Sequence, residues 1–342
     1  MTINICLATD ENYLKYMATT IVSILTSANK NDKLHFYILC NDLSTSSKQY
    51  IKNLMRFKIF DIDFIDINIK DFANFPAGGP HISNTTYYRY KIADICKNID
   101  KIIYLDCDMI VKTSLSELFN EDISDYYLGG VEDVGYYYWR DKNPNFKCSG
   151  FYINAGMLLI NLNSWRENNI GDKLMEYTSK HYNEIIIGDQ DVINIVCKNN
   201  IRPLKYQYNV QDSFYRQKLE VAKNPNKKRI IKASKNPVII HYTNTRKPWD
   251  DLNMNRAEDW YFSYLILTDG ELDNGLKMKI KIHMYQNLLN IKNSDKSLKK
   301  IFKFLENIFS IKNDFTQKHK RKIITLFGIR IKYKLVDKCK IC

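Results

Sequence analysis

Residues 101–111, KIIYLDCDMIV, constrain this chain more than any other segment. An apolar, β-rich run stops at Asp106 and Asp108, and a second apolar run follows at once. In an extended chain residues i and i+2 project to the same side, so the two carboxylates lie together. Apolar neighbours on both sides place them where water is scarce, and a buried carboxylate requires a partner. That partner is either a set of protein donors or a cation. The same spacing recurs at Asp61/Asp63 and at Asp189/Asp191. Within the alternating run IFDIDFIDI (59–67), Asp61 and Asp63 read as a solvated strand face, so spacing alone does not identify a site.

His241 narrows the choice. It follows the apolar PVII and precedes a polar, lysine-bearing loop, which places an imidazole at another strand end. Two carboxylates and one imidazole suit Mn²⁺, which accepts oxygen and nitrogen donors; Mg²⁺ is a weaker alternative because, like Ca²⁺, it prefers oxygen alone.

Short β-rich runs alternate with stretches of helical spacing along most of the chain. INICLAT (3–9) precedes a helical 13–28, and LHFYILC (34–40) precedes a Ser/Thr-started helical stretch at 44–57. The alternating 59–67, a helical 85–97 and the strand 101–105 come next. Further strands are expected near 127–131, 151–161 and 238–243, with helices at 163–182 and 189–198. This alternation indicates an α/β domain with a mostly parallel central sheet flanked by helices. In such sheets ligands bind beyond the carboxyl ends of strands. Four polar clusters are expected there: residues 9–12, Asp106-Cys107-Asp108, Asn154-Ala155-Gly156 and His241-Tyr242.

The length of 342 residues allows one large domain or two ordinary ones, and 45% hydrophobic with 26% charged residues describes a globular chain. Its net charge of +13 is concentrated at one end: residues 277–342 hold 18 Lys/Arg against 4 Asp/Glu, and the rest holds 33 against 34. A near-neutral body over 1–268 therefore carries a basic C-terminal region over 269–342. Within that region, 301–311 has helical apolar spacing, and FGIRIKYKL (327–335) alternates apolar with cationic residues. It reads either as a packed element with a solvated face or as an attachment to an anionic membrane surface, where each Lys or Arg contributes about 1 kcal/mol. Nucleic acid ranks lowest, because no nucleic-acid module accompanies the basic residues.

Asp10 and Glu11 interrupt any secretory leader. No apolar run approaches the roughly 18 residues that a membrane span requires. The eight cysteines are scattered, mostly within apolar segments, as expected of buried reduced thiols in the cytoplasm. Cys339-x-x-Cys342 has no second pair near it.

Six segments carry a resemblance: ATDENY (8–13), HISNTTYYR (81–89), YLDCDMIV (104–111), YINAGMLLINL (152–162), DQDVIN (189–194) and HYTNTRKPW (241–249). In this order and spacing the chain resembles glycosyltransferase family 8, retaining enzymes that use nucleotide sugars, and most closely the bacterial lipooligosaccharide galactosyltransferases. The likeness covers about 1–265 and implies a GT-A-like fold. It implies that Asp106, Asp108 and His241 bind Mn²⁺ beneath a UDP diphosphate that Lys247 also contacts. Asp10, Asn12 and the ring of Tyr13 would hold uracil, and Ala8 would line the ribose through its backbone. Arg89, Asn154, Asp189 and Gln190 would contact the donor sugar, with Asp189 and Gln190 as the catalytic residues, either of them as nucleophile or both flanking a same-face, dissociative attack. His81 and Thr86 would receive the acceptor.

The implied activity is transfer of a hexose, galactose or glucose, from UDP to a cell-surface glycan or glycolipid at the cytoplasmic face of the inner membrane. A non-catalytic binding protein at the membrane surface, or a UDP-sugar hydrolase, would share the fold; Arg89, Asp189 and Gln190 beside the metal residues favour an enzyme. Asn244 stands where the family usually has Gly, which bears on the acceptor side of that loop.

Overall fold

The computed structural model describes residues 1–76, 84–135, 150–216, 221, 224–243, 245, 247–249, 258–268 and three strands within 309–334. It divides into two compact units, Met1–Gly270 and Glu271–Cys342.

The first unit is built on β1 (Thr2–Thr9), β2 (Lys33–Cys40), β3 (Asp61–Asp66), β4 (Lys101–Leu105), β6 (Leu128–Glu132), β7 (Ile153–Asn161) and β8 (Ile201–Pro203). These form one sheet in the order β3-β2-β1-β4-β7-β6-β8. β3, β2, β1 and β4 pair in parallel, β7 runs antiparallel to β4 and β6, and β6 pairs in parallel with β8. Seven strands thus share one direction except for β7, in agreement with the mostly parallel sheet expected from the sequence.

Both faces of the sheet are covered, which is why its central strands are almost continuously apolar. Side chains alternate across each strand. β1 sends Ile3, Ile5 and Leu7 into the core beneath the helix Leu14–Ser27, and Cys6 into the core on the opposite side. β4 divides in the same way, Ile103 and Leu105 against Ile102 and Tyr104. The second core is closed by the helices Leu162–Glu167, Ile170–Lys180 and Gly188–Val196. Cys6, Cys40, Cys96, Cys107 and Cys197 are buried free thiols within these layers.

Three expectations are corrected. The single helix expected over 163–182 is two, because Asn169 adopts a left-handed φ of 51° between them. The helix expected over 85–97 is a 3₁₀ helix, Asn84–Lys91, followed by one α-helical turn, Ile92–Ile95. Its threonines and tyrosines are weak α-formers, and three residues per turn align Thr86 with Arg89. In the second unit, part of the stretch read as helical is a strand, Phe309–Asp314, while 301–308 lies outside the described residues. That strand, Arg321–Leu326 and Ile329–Lys334 make an antiparallel sheet, and the last of them coincides with the alternation read in the sequence.

Among the described residues no helix is long and apolar enough to cross a membrane. Leu159 lies in the middle of β7 with no exposed surface. Leu159→Ala is expected to cost about 2–5 kcal/mol of unfolding free energy, read from urea denaturation, because β7 is wedged between β4 and β6.

Candidate functional site

The site begins at the end of β4. Asp106 N–H donates to Gly156 O at 2.8 Å, and the apolar strand β5 (Met109–Val111) follows directly after Asp108. β5 pairs antiparallel with β10 (Ile239–His241), which sets His241 opposite Met109; β9 (Val210–Gln211) flanks β10 on its other side. Tyr242 N–H then donates to Asp108 O at 3.1 Å. This small sheet brings residues 133 positions apart in sequence into contact: His241 Nε2 lies 3.2 Å from Asp108 Oδ1 and 3.9 Å from Asp106 Oδ2.

Asp106, Asp108 and His241 offer ligand atoms within 4.8 Å of one another, and they form the one such cluster among the described residues. Two features fit a divalent cation. Asp108 Oδ1 is buried and has no hydrogen-bond donor, an expensive state for a carboxylate oxygen unless a cation faces it. Gly156 leaves the space: a Cβ there would lie 2.3 Å from His241 Cε1 and 2.7 Å from Asp106 Oδ2. Burial works against the Asp108 charge, yet the Lys247 ammonium beside it holds its carboxyl well below the usual range. Lys247 Nζ is 2.6 Å from Asp108 Oδ2 and 2.7 Å from Tyr242 O.

Arg89 joins this group to Asp189. It is buried, its Nη2 donates to Asp106 Oδ1 at 2.9 Å, and its Nε lies 3.1 Å from Asp189 Oδ2. Arg89 also donates from Nη1 to Ala155 O at 2.5 Å, from Nε to Thr86 O at 2.8 Å and from Nη2 to Thr86 Oγ1 at 3.1 Å, and its guanidinium stacks 4.1 Å over the Tyr104 ring. Thr86 Oγ1 donates to Asp189 Oδ1 at 2.5 Å. Burial pushes the Asp189 carboxyl up, opposed by Arg89 and Thr86. Gln190 follows on the helix Gly188–Val196, whose entry turn places Gly188 at φ 52°. Asp191 serves that helix: its Oδ2 accepts the N–H groups of Ile186 and Ile187 at 2.8 and 2.7 Å.

Asn154 and Gly156 lie at the amino end of β7, not at a carboxyl end as the sequence reading placed them. Because β7 alone runs antiparallel, its start falls at the edge where its neighbours finish. Asn154 Nδ2 donates to Gln190 Oε1 at 3.1 Å.

The residues expected to hold a nucleotide lie at the neighbouring end of β1. Ala8 O accepts from Cys107 Sγ at 3.1 Å, which ties this strand end to the carboxylate pair. Asp10 Oδ1 accepts the Tyr13 N–H at 2.9 Å and closes the turn into the next helix, with Asn12 exposed in that turn. Tyr13 meets Tyr16 and Trp249 edge-on, and Trp249 stacks on Tyr16 with centroids 3.8 Å apart. His81 and Asn244 lie outside the described residues. Asp61 and Asp63 alternate on the exposed face of the edge strand β3, as the sequence indicated.

Sequence reasoning did not find Asn209, Asp133 or Tyr152. Gln190 Nε2 donates to Asp133 Oδ2 at 2.9 Å, and Tyr152 OH donates to Asp191 Oδ1 at 2.6 Å. Asn209 sits in an ordinary stretch, YQYNV, that carries no signal of its role.

An open, nearly parallel sheet with paired carboxylates and an imidazole at its strand ends defines the GT-A-like class of glycosyltransferases. Residues 4–253 match the model of glycosyl transferase family 8, and the chain belongs to that family. It is 34% identical over 254 residues to a putative glycosyltransferase of Haemophilus influenzae, across 72% of this chain and 73% of that one. It is 28% identical over 265 residues to general stress protein A of Bacillus subtilis, across 76% and 91%. Its fold is similar to that of the galactosyltransferase LgtC in complex with donor and acceptor sugar analogues, with a TM-score of 0.71 and 27% identity over 82% of this chain and 100% of that one. The protein is a glycosyltransferase.

Gly156→Ala is expected to abolish any thermal shift produced by divalent cations while leaving the far-ultraviolet circular dichroism unchanged, since the new methyl group would displace His241 and Asp106.

Proposed function

We propose that this protein is a retaining transferase that moves a hexose, galactose or glucose, from a UDP-sugar to a cell-surface glycan acceptor of the lipooligosaccharide type, with Mn²⁺ as its cation. The observation that carries this reading is the meeting of Asp106, Asp108 and His241 in one group, with Lys247 on Asp108 and the Arg89–Asp189 pair on Asp106. The likeness to LgtC, whose structure holds donor and acceptor analogues, supports a nucleotide sugar and a glycan meeting in the same cleft.

Bound at this triad, Mn²⁺ would offset the charge of the diphosphate and of its departure from the sugar. Lys247 adds a second positive charge on that side. Ala8, Asp10, Asn12 and Tyr13 receive the nucleoside, the Tyr13 ring by stacking on uracil. Asp189 faces the positive charge that develops on the anomeric carbon. Both lone pairs of Gln190 Oε1 are taken, by Ala155 N–H at 3.0 Å and Asn154 Nδ2 at 3.1 Å. Gln190 is therefore assigned to holding the sugar side in place, and attack on the face that the diphosphate leaves is favoured over a covalent intermediate on Gln190. Arg89, with its N–H groups committed to Thr86, Ala155 and Asp106, is assigned to holding Asp106 and Asp189. His81 and Thr86 receive the acceptor. A purely binding protein would have no need of Asp189 beside the cation residues.

The C-terminal strands support attachment to an anionic inner-membrane surface on the cytoplasmic side. Arg321–Leu326 and Ile329–Lys334 pair antiparallel, and cationic and apolar residues are interleaved along both. That composition suits the interface between water and lipid better than it suits nucleic acid.

Asp108→Ala and His241→Ala are each expected to lower Mn²⁺-dependent UDP release by about 100-fold or more, measured with a panel of UDP-hexoses and glycan acceptors. Turnover near that of the unaltered protein in either variant overturns the cation assignment, and UDP release without a glycosylated product identifies a hydrolase. Removing 271–342 is expected to abolish sedimentation with phosphatidylserine vesicles while sparing transfer to a soluble acceptor; unchanged sedimentation removes the membrane role.

A further inference from the structure

A fully buried asparagine, Asn209, stands between the metal triad and the sugar side of the site. It immediately precedes β9, the strand that pairs in parallel with the one bearing His241. Its Oδ1 is 3.0 Å from His241 Nδ1, and its Nδ2 is 2.9 Å from Asn154 Oδ1. Asn154 Oδ1 also accepts the Gly156 N–H at 3.1 Å, and Gln190 Oε1 accepts the Ala155 N–H at 3.0 Å.

The two ends of an amide side chain have the same outline, so their assignment has to come from partners. Here the backbone supplies it, because a main-chain N–H can only donate. Gly156 N–H requires the oxygen of Asn154 at its end, and Ala155 N–H requires the oxygen of Gln190. Asn154 is left with its NH₂ for Gln190, and Asn209 must offer its own NH₂ to the Asn154 oxygen. What Asn209 then presents to His241 is an oxygen, which only a protonated Nδ1 can satisfy. In the neutral ring, the form that can ligate, the lone pair of Nε2 is thereby turned toward Asp108 Oδ1, 3.2 Å away. Imidazole side chains in water favour the opposite tautomer, so the choice is imposed by this chain of amides.

We propose that Asn209 is a positioning residue of the cation site: it locks His241 in the tautomer that can ligate, and through Asn154 it ties the cation to Gln190 at the sugar. The proposal rests on the reading of Asp106, Asp108 and His241 as a divalent-cation site. Partners of this kind fix ring orientation and tautomer at metal-bound histidines, and their loss costs about 10–100-fold in metal affinity.

The test is Mn²⁺ titration calorimetry without nucleotide, together with ¹⁵N spectra of the imidazoles in metal-free protein. The unaltered chain, Asn209→Ala, Asn209→Asp and His241→Ala are compared. Asn209→Ala is expected to bind Mn²⁺ about 10–100-fold more weakly, and Asn209→Asp, which keeps an oxygen toward Nδ1 but loses the NH₂ that Asn154 accepts, more tightly than Asn209→Ala. His241 is expected to carry its proton on Nδ1 in the unaltered chain and in Asn209→Asp, and to shift toward Nε2 in Asn209→Ala. Undiminished Mn²⁺ affinity in Asn209→Ala overturns the proposal, as does an Nε2-protonated His241 in the unaltered chain, a result that needs no variant to fold. Failure of the unaltered chain to bind Mn²⁺ removes the cation reading instead, and the imidazole spectrum still decides whether Asn209 sets the tautomer.

Discussion

Three carboxylates, those of Asp106, Asp108 and Asp189, are gathered at one edge of the sheet, and the arrangement depends on positive charge placed among them. Arg89 supplies it for two of the three, at 2.9 Å from Asp106 and 3.1 Å from Asp189. Lys247 supplies it for Asp108 at 2.6 Å. Removing one partner from a buried pair of this kind costs about 3–5 kcal/mol, because an uncompensated charge is left behind. The 3₁₀ geometry of Asn84–Lys91 follows from the same requirement: it lines up Thr86 and Arg89, so that one short helix serves both oxygens of Asp189. Arg89 therefore sits where a contact to the donor sugar was expected, yet its hydrogen bonds run to the protein.

The second constraint is topological. A sheet with every strand parallel would carry Asn154 and Gly156 to the far edge, away from Asp106. The reversal of β7 brings them to the carboxyl ends of the neighbouring strands. Gly156 then leaves room for His241 and Asp106, and Asn154 joins Asn209 to Gln190. His241 and Gln190 are joined by one continuous set of hydrogen bonds through Asn209 and Asn154 as a result, and do not belong to two clusters that happen to be adjacent.

Membership of glycosyl transferase family 8 agrees with this site and accounts for the order of the segments along the chain.

Much of the scaffold was legible in the sequence. The near-continuous apolar runs of β1, β4 and β7 reported burial on both faces, and the alternation in 59–67 reported an exposed edge. The Asp106/Asp108 pair and His241 stood out because charged or polar groups directly beside apolar strands have few inexpensive places to be, and Lys247 was reached through the resemblance to the family. Three things were decided only by tertiary structure: the direction of β7, the break at Asn169, and the role of Asn209. Strand direction depends on which neighbours pair, a long-range choice that local hydropathy does not encode. A buried asparagine in an aromatic stretch becomes informative only when its two ends are seen against a histidine and a second amide, since hydrogen-bond direction is a property of the partners and not of the residue.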